Sequence, residues 1–279
     1  MVQIPILNKK ISLNDFKDNI KIYESDIVYL GGSLIEGSIN KISSGMGNVF
    51  SDIDLFIIRD SNYYIETDYE YDFQGVKSFF TNIQNMNIDI EVYDVKEVYK
   101  IINSINNINF NDNKRTENIL DTTMSLFDVN SFLCRLFNSI PLKNISVYSD
   151  LKKSIYSDNF FDLYENHIIN NIENSIEDIE GNIISEQYNV SLYAVRSAFL
   201  EYSKIYIMDY KEYIDRDKWV FLKMLNLSKE NHDETISEFY NKLFCSDVSS
   251  DIDKKIVIDE TLSYIRKQIE LKAFDNLII

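Results

Sequence analysis

The sequence predicts an α+β protein in two parts. Strands and helices mix in the N-terminal part, and the C-terminal part is all helix. Three observations carry this. An apolar run from Asp26 to Leu30 ends in Gly31-Gly32-Ser33, as a buried strand entering a tight turn does. Asn87 to Tyr93 alternates, with Ile88, Ile90 and Val92 facing one way and Asp89, Glu91 and Tyr93 the other. After Val95 the apolar residues recur at steps of three and four, and no further strand is expected. The change of character falls between about 95 and 120. The expected division is 1–110, a domain of mixed strands and helices, and 111–279, a helical domain.

Taken in order, Leu13 to Ile22 has apolar residues at 13, 16, 20 and 22, which predicts a short helix with Asn14 as its N-cap. Asp26 to Leu30 is the first strand. Residues 34 to 50 hold three glycines among Asn and Ser and are expected to form a loop. Val49 to Arg59 is a second strand. Asn62 to Gln74 is polar and Tyr-rich, a turn or excursion. Lys77 to Ile83 and Asn87 to Tyr93 form a hairpin joined by Gln84-Asn85-Met86. Ile119, Thr123, Leu126, Asn130, Leu133 and Phe137 predict a helix that Pro141 stops. Phe161 to Ile179 predicts a second, ending at Gly181. Leu192, Val195, Phe199, Tyr202 and Tyr206 predict a third. Asp217 to Leu225 is a short helix. Asn231 opens another, with Glu234 placed as in a capping box. Ile252, Ile256, Ile265 and Ile269 mark a last long one.

Composition limits the chemistry. The chain has 279 residues and a formal charge of −17, and 45% of it is hydrophobic. Residues 1–125 carry 11 Lys and Arg against 19 Asp and Glu, and the remainder 17 against 26, so acidity covers both parts and is not a tail. A nucleic-acid polymer is therefore not an expected partner, because such binding needs a basic footprint. A small substrate, especially a cationic one, suits the charge, although acidity also simply keeps proteins soluble. Cys134 and Cys245 are too few and too far apart for a disulfide scaffold or a thiolate metal site, and buried free thiols are the expectation. With no signal-like N-terminus and no stretch of about 20 apolar residues, the expected location is cytoplasmic and away from the membrane.

The segment that points to chemistry runs from Val28 to Ile58. Ser51-Asp52-Ile53-Asp54-Leu55 opens a strand, and side chains at i and i+2 of a strand share a face. Asp52 and Asp54 then form a pair of like charges that calls for a cation. Hard carboxylate oxygens suit Mg²⁺, which is usually held by one or two carboxylates plus substrate phosphates. The upstream glycines allow backbone N–H groups to approach a phosphate closely.

Leu30-Gly31-Gly32-Ser33, then Asp52-Ile53-Asp54, then an acidic residue within Asn87-Ile88-Asp89-Ile90-Glu91-Val92 together resemble the DNA polymerase beta-like nucleotidyltransferase superfamily. The motifs cover roughly the first hundred residues. The resemblance implies a mixed sheet with flanking helices and two Mg²⁺ ions. Asp52, Asp54 and Asp89 would hold them, one ion on the triphosphate tail and the other activating an acceptor hydroxyl. Ser33 and the backbone at Gly31 and Gly32 would hold phosphate oxygens. Asp89 and Glu91 share a face, so either could be the third ligand and the other the general base; Asp89 is preferred as ligand. The stretch from Ser33 to Asp52 is longer than the usual turn of this pattern, and acceptor specificity is expected there.

The layout of the whole chain is similar to bacterial antibiotic nucleotidyltransferases of the kanamycin, streptomycin and lincosamide types. In those proteins a helical domain follows the core. Tyr210-Lys211-Glu212-Tyr213 and then Arg216-Asp217-Lys218-Trp219 match their pattern of a Tyr-bearing loop followed by a Lys, which makes Lys218 a candidate triphosphate ligand. A solvated first-turn lysine is the plainer reading. The resemblance implies transfer of a nucleoside monophosphate from an NTP, ATP being expected, to a hydroxyl of a small molecule. Its rivals are nucleotidylation of a protein or tRNA, as in toxin-type relatives, and a catalytically degenerate nucleotide-binding regulatory module. Tyr63, Tyr64, Tyr69 and Tyr71 could stack on a base or sugar, or could simply pack.

Overall fold

The computed structural model describes residues 1–73, 75–110 and 114–275. Gln74, the end of the expected excursion, lies outside the described residues, as do residues 111–113 beside the expected domain boundary. The protein is α+β, with a mixed sheet followed by helices. By internal packing the chain divides into Met1–Phe161 and Asp162–Ile279.

The first unit opens with a small antiparallel pair, β1 (Val2–Ile4) and β2 (Lys9–Ile11). A 3₁₀ turn follows at Leu13–Phe16. It replaces the longer helix expected there, and Ser12, not Asn14, caps it through a box with Asp15. Then come β3 (Ile27–Gly31) and α1 (Ser33–Ile39), a short helix inside the segment expected to be loop. Strand β4 (Ile53–Arg59) leads to α2 (Ser61–Ile65), β5 (Tyr71–Phe73), β6 (Val76–Ile83), β7 (Met86–Asp94) and α3 (Val95–Asn106). After these, α4 (Leu126–Phe137), β8 (Ile140–Lys143) and α5 (Ile145–Lys153) complete the unit.

The main sheet has six strands in the order β5-β6-β7-β4-β3-β8. Only β4 and β7 pair in parallel; the other neighbours are antiparallel. The β6–β7 hairpin turns on Gln84 and Asn85, with φ of 53° and 59°. Two residues of positive φ match the twist of the flanking strands, and Met86 is free to join β7. Strand β8 falls after Val95, where the sequence leads to helix alone. It pairs at the sheet edge beside β3, where Pro141 lies opposite Tyr29. An edge strand tolerates a proline, because the missing N–H is not needed by a second neighbour.

One face of the sheet is the core. Val28, Leu30, Ile53, Leu55, Ile57, Ile88, Ile90 and Val92 are buried there with Ile4, Phe16 and Ile35. Buried alternate residues of this kind fix the register, because a one-residue slip would turn all of them to the other side. The opposite face carries Tyr29, Phe56 and Tyr93. Phe132 of α4 packs against Tyr93 with ring centroids 5.0 Å apart, and Tyr148 of α5 against Tyr29 at 5.6 Å.

Helix α6 (Ser157–Ile184) begins in the last residues of the first unit and runs on through Gly181, where helix termination was expected. No atom lies within 4 Å of a Cβ placed at Gly181, so this glycine is on an open side of the helix. The second unit continues with α7 (Tyr188–Asp209), α8 (Asp217–Asn231), α9 (Glu234–Tyr240) and α10 (Asp251–Asp275). The N-cap of α9 is Asp233, which accepts from the Thr235 N–H, and Asn231 instead ends α8. The stripe Leu192, Val195, Phe199, Tyr202 and Tyr206 of α7 is buried as expected. Both cysteines are free, Cys134 buried and Cys245, contrary to expectation, exposed. Among the described residues no helix is long and apolar enough to cross a membrane.

Candidate functional site: a carboxylate pair beside a glycine turn

The antiparallel register of β3 and β4 sets Gly31 opposite Asp54. The parallel register of β4 and β7 sets Asp54 opposite Asp89. Residues opposite each other in a sheet share a face, and neighbouring strands lie about 4.8 Å apart. Gly31, Asp54 and Asp89 therefore form one row across three strands, on the face away from the core.

Gly32 closes this row. It is the N-cap of α1 with φ 77°, in the region that favours glycine. A Cβ there would lie 1.6 Å from Asp54 Oδ2 and 2.5 Å from its Cγ. The chain thus folds the turn directly onto the carboxylate, and only a residue without a side chain permits it. Gly32→Ala is expected to cost at least about 2 kcal/mol from the positive φ and the collision together. It should also displace Asp54. Thermal unfolding checks the cost, and a variant as stable as wild type would overturn the close approach.

Strand β4 begins at Ile53, and Asp52 lies exposed one residue ahead of it. Ser33 is the first residue of α1. Residues 40–52 form turns that fold back on the helix, with Ser43 Oγ donating to Glu36 Oε1 at 2.7 Å.

Glu91 lies on the same face as Asp89 but has other company. Arg135 Nη1 of α4 donates to Glu91 Oε1 at 2.8 Å and Oε2 at 3.0 Å. Tyr93 Oη donates to Oε2 at 2.6 Å. Burial, and secondly the Glu91 charge, push the Tyr93 hydroxyl well above its ordinary pKa, so it stays a donor. Glu91 is opposite Phe56, one row removed from Asp54. Sequence reasoning missed Arg135, which lies 44 residues further along the chain and carries no motif. Its one legible signal was that it is the single basic residue of α4 (Leu126–Phe137).

Lys218 is in the second unit, exposed in the first turn of α8, with Nζ 5.1 Å from the ring centroid of its neighbour Trp219. Of the four tyrosines, Tyr63 stacks on Tyr23 at 4.0 Å and Tyr64 is buried. Tyr69 lies under Lys77 Nζ at 4.6 Å. Tyr71 is exposed beside Phe80.

Among the described residues no three His, Cys, Asp or Glu side chains gather as a group able to hold a metal ion. What the register brings together is the pair Asp54 and Asp89. Such a pair does not make a ready cage, but it fits Mg²⁺ that arrives with substrate phosphates, since one or two carboxylates then suffice.

No family model matches the chain, and no curated protein matches it. Among solved structures it is similar to a nucleotidyltransferase-like protein from Exiguobacterium sibiricum. The two are 9% identical, the match covers 91% of this chain and 73% of that one, and the TM-score is 0.47.

Proposed function

We propose that the protein is a nucleotidyltransferase. In this reading it moves a nucleoside monophosphate from an NTP, ATP in the first instance, to a hydroxyl of a small-molecule acceptor and releases pyrophosphate. The observation that carries the proposal is the row of Gly31, Asp54 and Asp89, with Gly32 closed onto Asp54. A carboxylate pair next to the backbone of a glycine turn suits a metal-bound polyphosphate.

Asp54 and Asp89 would hold Mg²⁺, and Asp52, just ahead of β4, would join them once the triphosphate is bound. When bound, the metal neutralises phosphate charge and favours the ionised acceptor hydroxyl. The backbone of Gly31 and Gly32 and the Ser33 hydroxyl would donate to the terminal phosphate oxygens. The acceptor oxygen forms its bond to the α-phosphorus as the bridging oxygen leaves with pyrophosphate. The hydroxyl proton would pass to the Asp89 carboxylate. Glu91 is not assigned that role here, because both its oxygens already accept hydrogen bonds from Arg135 or Tyr93.

The test is incubation of the protein with each α-labelled NTP, Mg²⁺ and a panel of hydroxyl compounds. The expected result is label in a small product with equimolar pyrophosphate. Label in a macromolecular band would instead assign a protein or tRNA acceptor. Binding of Mg·NTP with no pyrophosphate in any arm would overturn transfer and leave a regulatory module.

A further inference from the structure

A cavity of about 470 Å³ lies apart from the row of Gly31, Asp54 and Asp89, and none of these three lines it. It opens between residues 19–23, residues 66–70 and strand β6. Tyr23, Tyr69 and Phe79 give it aromatic walls, and Glu66, Asp68 and Glu70 line it with carboxylates. Phe79 packs on the core side of the sheet, opposite Ile90, so the cavity is not on the face of the carboxylate pair. Its size is that of a small-molecule site.

The lining carries unmatched negative charge. Arg59 also borders the cavity, but Asp26 already neutralises it within the fold. Among the described lining residues that leaves Lys21 against three carboxylates. Within the described residues, none of the three carboxylates makes an ion pair or a side-chain hydrogen bond. Nor do they converge, since no three acidic, His or Cys side chains there form a group able to hold a metal ion. A metal ion needs its oxygen ligands around one point, within about 2.6 Å. Carboxylates spread around a cavity instead suit several separated positive charges on one extended molecule.

The aromatic walls indicate what joins those charges. An ammonium is attracted to a ring face within about 6 Å of the centroid. The chain's own lysines show this chemistry here. Lys21 Nζ lies 4.5 Å from the Tyr23 centroid, and Lys77 Nζ 4.6 Å from that of Tyr69. The Lys77 ammonium is tied to the interior, where it donates to the carbonyls of Tyr64 at 3.0 Å and Ile65 at 3.2 Å. Tyr69 itself stays 52% exposed.

We infer that this cavity binds an aliphatic polyamine, a methylene chain bearing two or three ammonium groups. The ammonium groups pair with Glu66, Asp68 and Glu70, and the methylenes cover Tyr69 and Phe79 as a lysine stem covers apolar surface. An anionic ligand is opposed by the lining and by the net charge of −17. Such a ligand has no hydroxyl to receive a nucleotidyl group, and the inference holds whether or not the chain transfers nucleotides.

The test is calorimetric titration of the full chain with spermidine, butylamine, calcium chloride and trilysine. Salt at about 0.15 M screens general attraction to an acidic surface. One saturable site is expected for spermidine, and butylamine, with a single ammonium, should bind at least about tenfold more weakly. The triple variant Glu66→Gln, Asp68→Asn, Glu70→Gln should lose about tenfold in affinity, and Tyr69→Ala about fivefold. All four side chains are exposed, so folding is not at stake. As a control, Glu173→Gln, Glu177→Gln, Asp178→Asn removes three exposed carboxylates of α6 and should leave the spermidine Kd within about twofold. No saturation with spermidine would overturn the site. An equal loss in both triple variants would also overturn it, because overall acidity would then account for the binding. Calcium that binds more tightly and displaces spermidine would make this a metal site. Tighter binding of trilysine would give the cavity to a basic protein segment. Either of the last two results sinks the polyamine.

Discussion

Asp54→Asn is expected to lower nucleotidyl transfer by roughly a thousandfold, about 4 kcal/mol in the barrier, while leaving the fold intact. Asp54 is the one carboxylate that both faces Asp89 across the parallel strands and rests on Gly32. An amide keeps the size of the group and its fit against the turn, but it removes half of the charge that would hold a cation. In the absence of ligand two like charges on adjacent strands oppose each other, so the variant should melt at the wild-type temperature or slightly above it. The distinguishing measurement is thermal unfolding with and without Mg·ATP. At a hundredfold excess over Kd, binding stabilises the native state by about 2.7 kcal/mol, and the variant should lose most of that gain. Asp52→Asn should do less, because Asp52 is exposed and outside the strand. Equal turnover by Asp54→Asn and wild type would remove the pair from the chemistry. A larger effect at Asp52 would move the metal away from the β4–β7 row.

The strands of this row were legible in the sequence because each is an apolar run with punctuation at its ends. The periodicity of β7 and the glycines after β3 are local signals. What the sequence could not give is which carboxylate lies opposite which. Asp89 and Glu91 share a face by the period of two, and nothing local separates them. The separation comes from tertiary structure, through the β4–β7 register and through Arg135, which α4 brings to Glu91 from far along the chain. Asp52 is set apart by its exposure: β4 begins at Ile53, and Asp52 lies just ahead of it. Helix α1 was hidden by its glycine and serines, yet Leu34 and Ile35 are buried in the core and hold the turn in place. Strand β8 was hidden by Pro141, which reads as a helix stop and serves as an edge residue.

The largest effect on stability is expected at the other end of the same strands. Arg59, the last residue of β4, is 2% exposed, and Asp26, just before β3, is fully buried. Arg59 Nε donates to Asp26 Oδ1 at 3.1 Å, and Nη2 donates to Oδ2 at 2.7 Å and to Lys21 O at 2.7 Å. Nη1 donates to Thr67 Oγ1 at 2.9 Å, and the Tyr23 N–H donates to Asp26 Oδ2 at 3.0 Å. The guanidinium lies 4.8 Å from the Tyr23 ring centroid, and that ring stacks on Tyr63. Every charged atom of the pair is thus satisfied, which is what makes removal of one partner costly. Asp26→Ala would leave a buried guanidinium with neutral acceptors only, and should cost about 3–5 kcal/mol. Arg59→Ala should cost a similar amount, for the converse reason. The double variant should be less damaged than the two losses combined, with a coupling of at least about 2 kcal/mol in denaturant unfolding. Additive losses would mean that the two side chains act separately, and would sink the assignment. The pair also bears on function through geometry. It clamps β3 to β4 one residue outside the Ile27–Ile58 pairing, and the same antiparallel ladder ends at Gly31–Asp54. Loosening the clamp frees the register that seats Gly32 on Asp54. Asp26→Ala should therefore weaken Mg·ATP binding at temperatures where the variant is still folded, although Asp26 and Asp54 stand at opposite ends of the β3–β4 ladder.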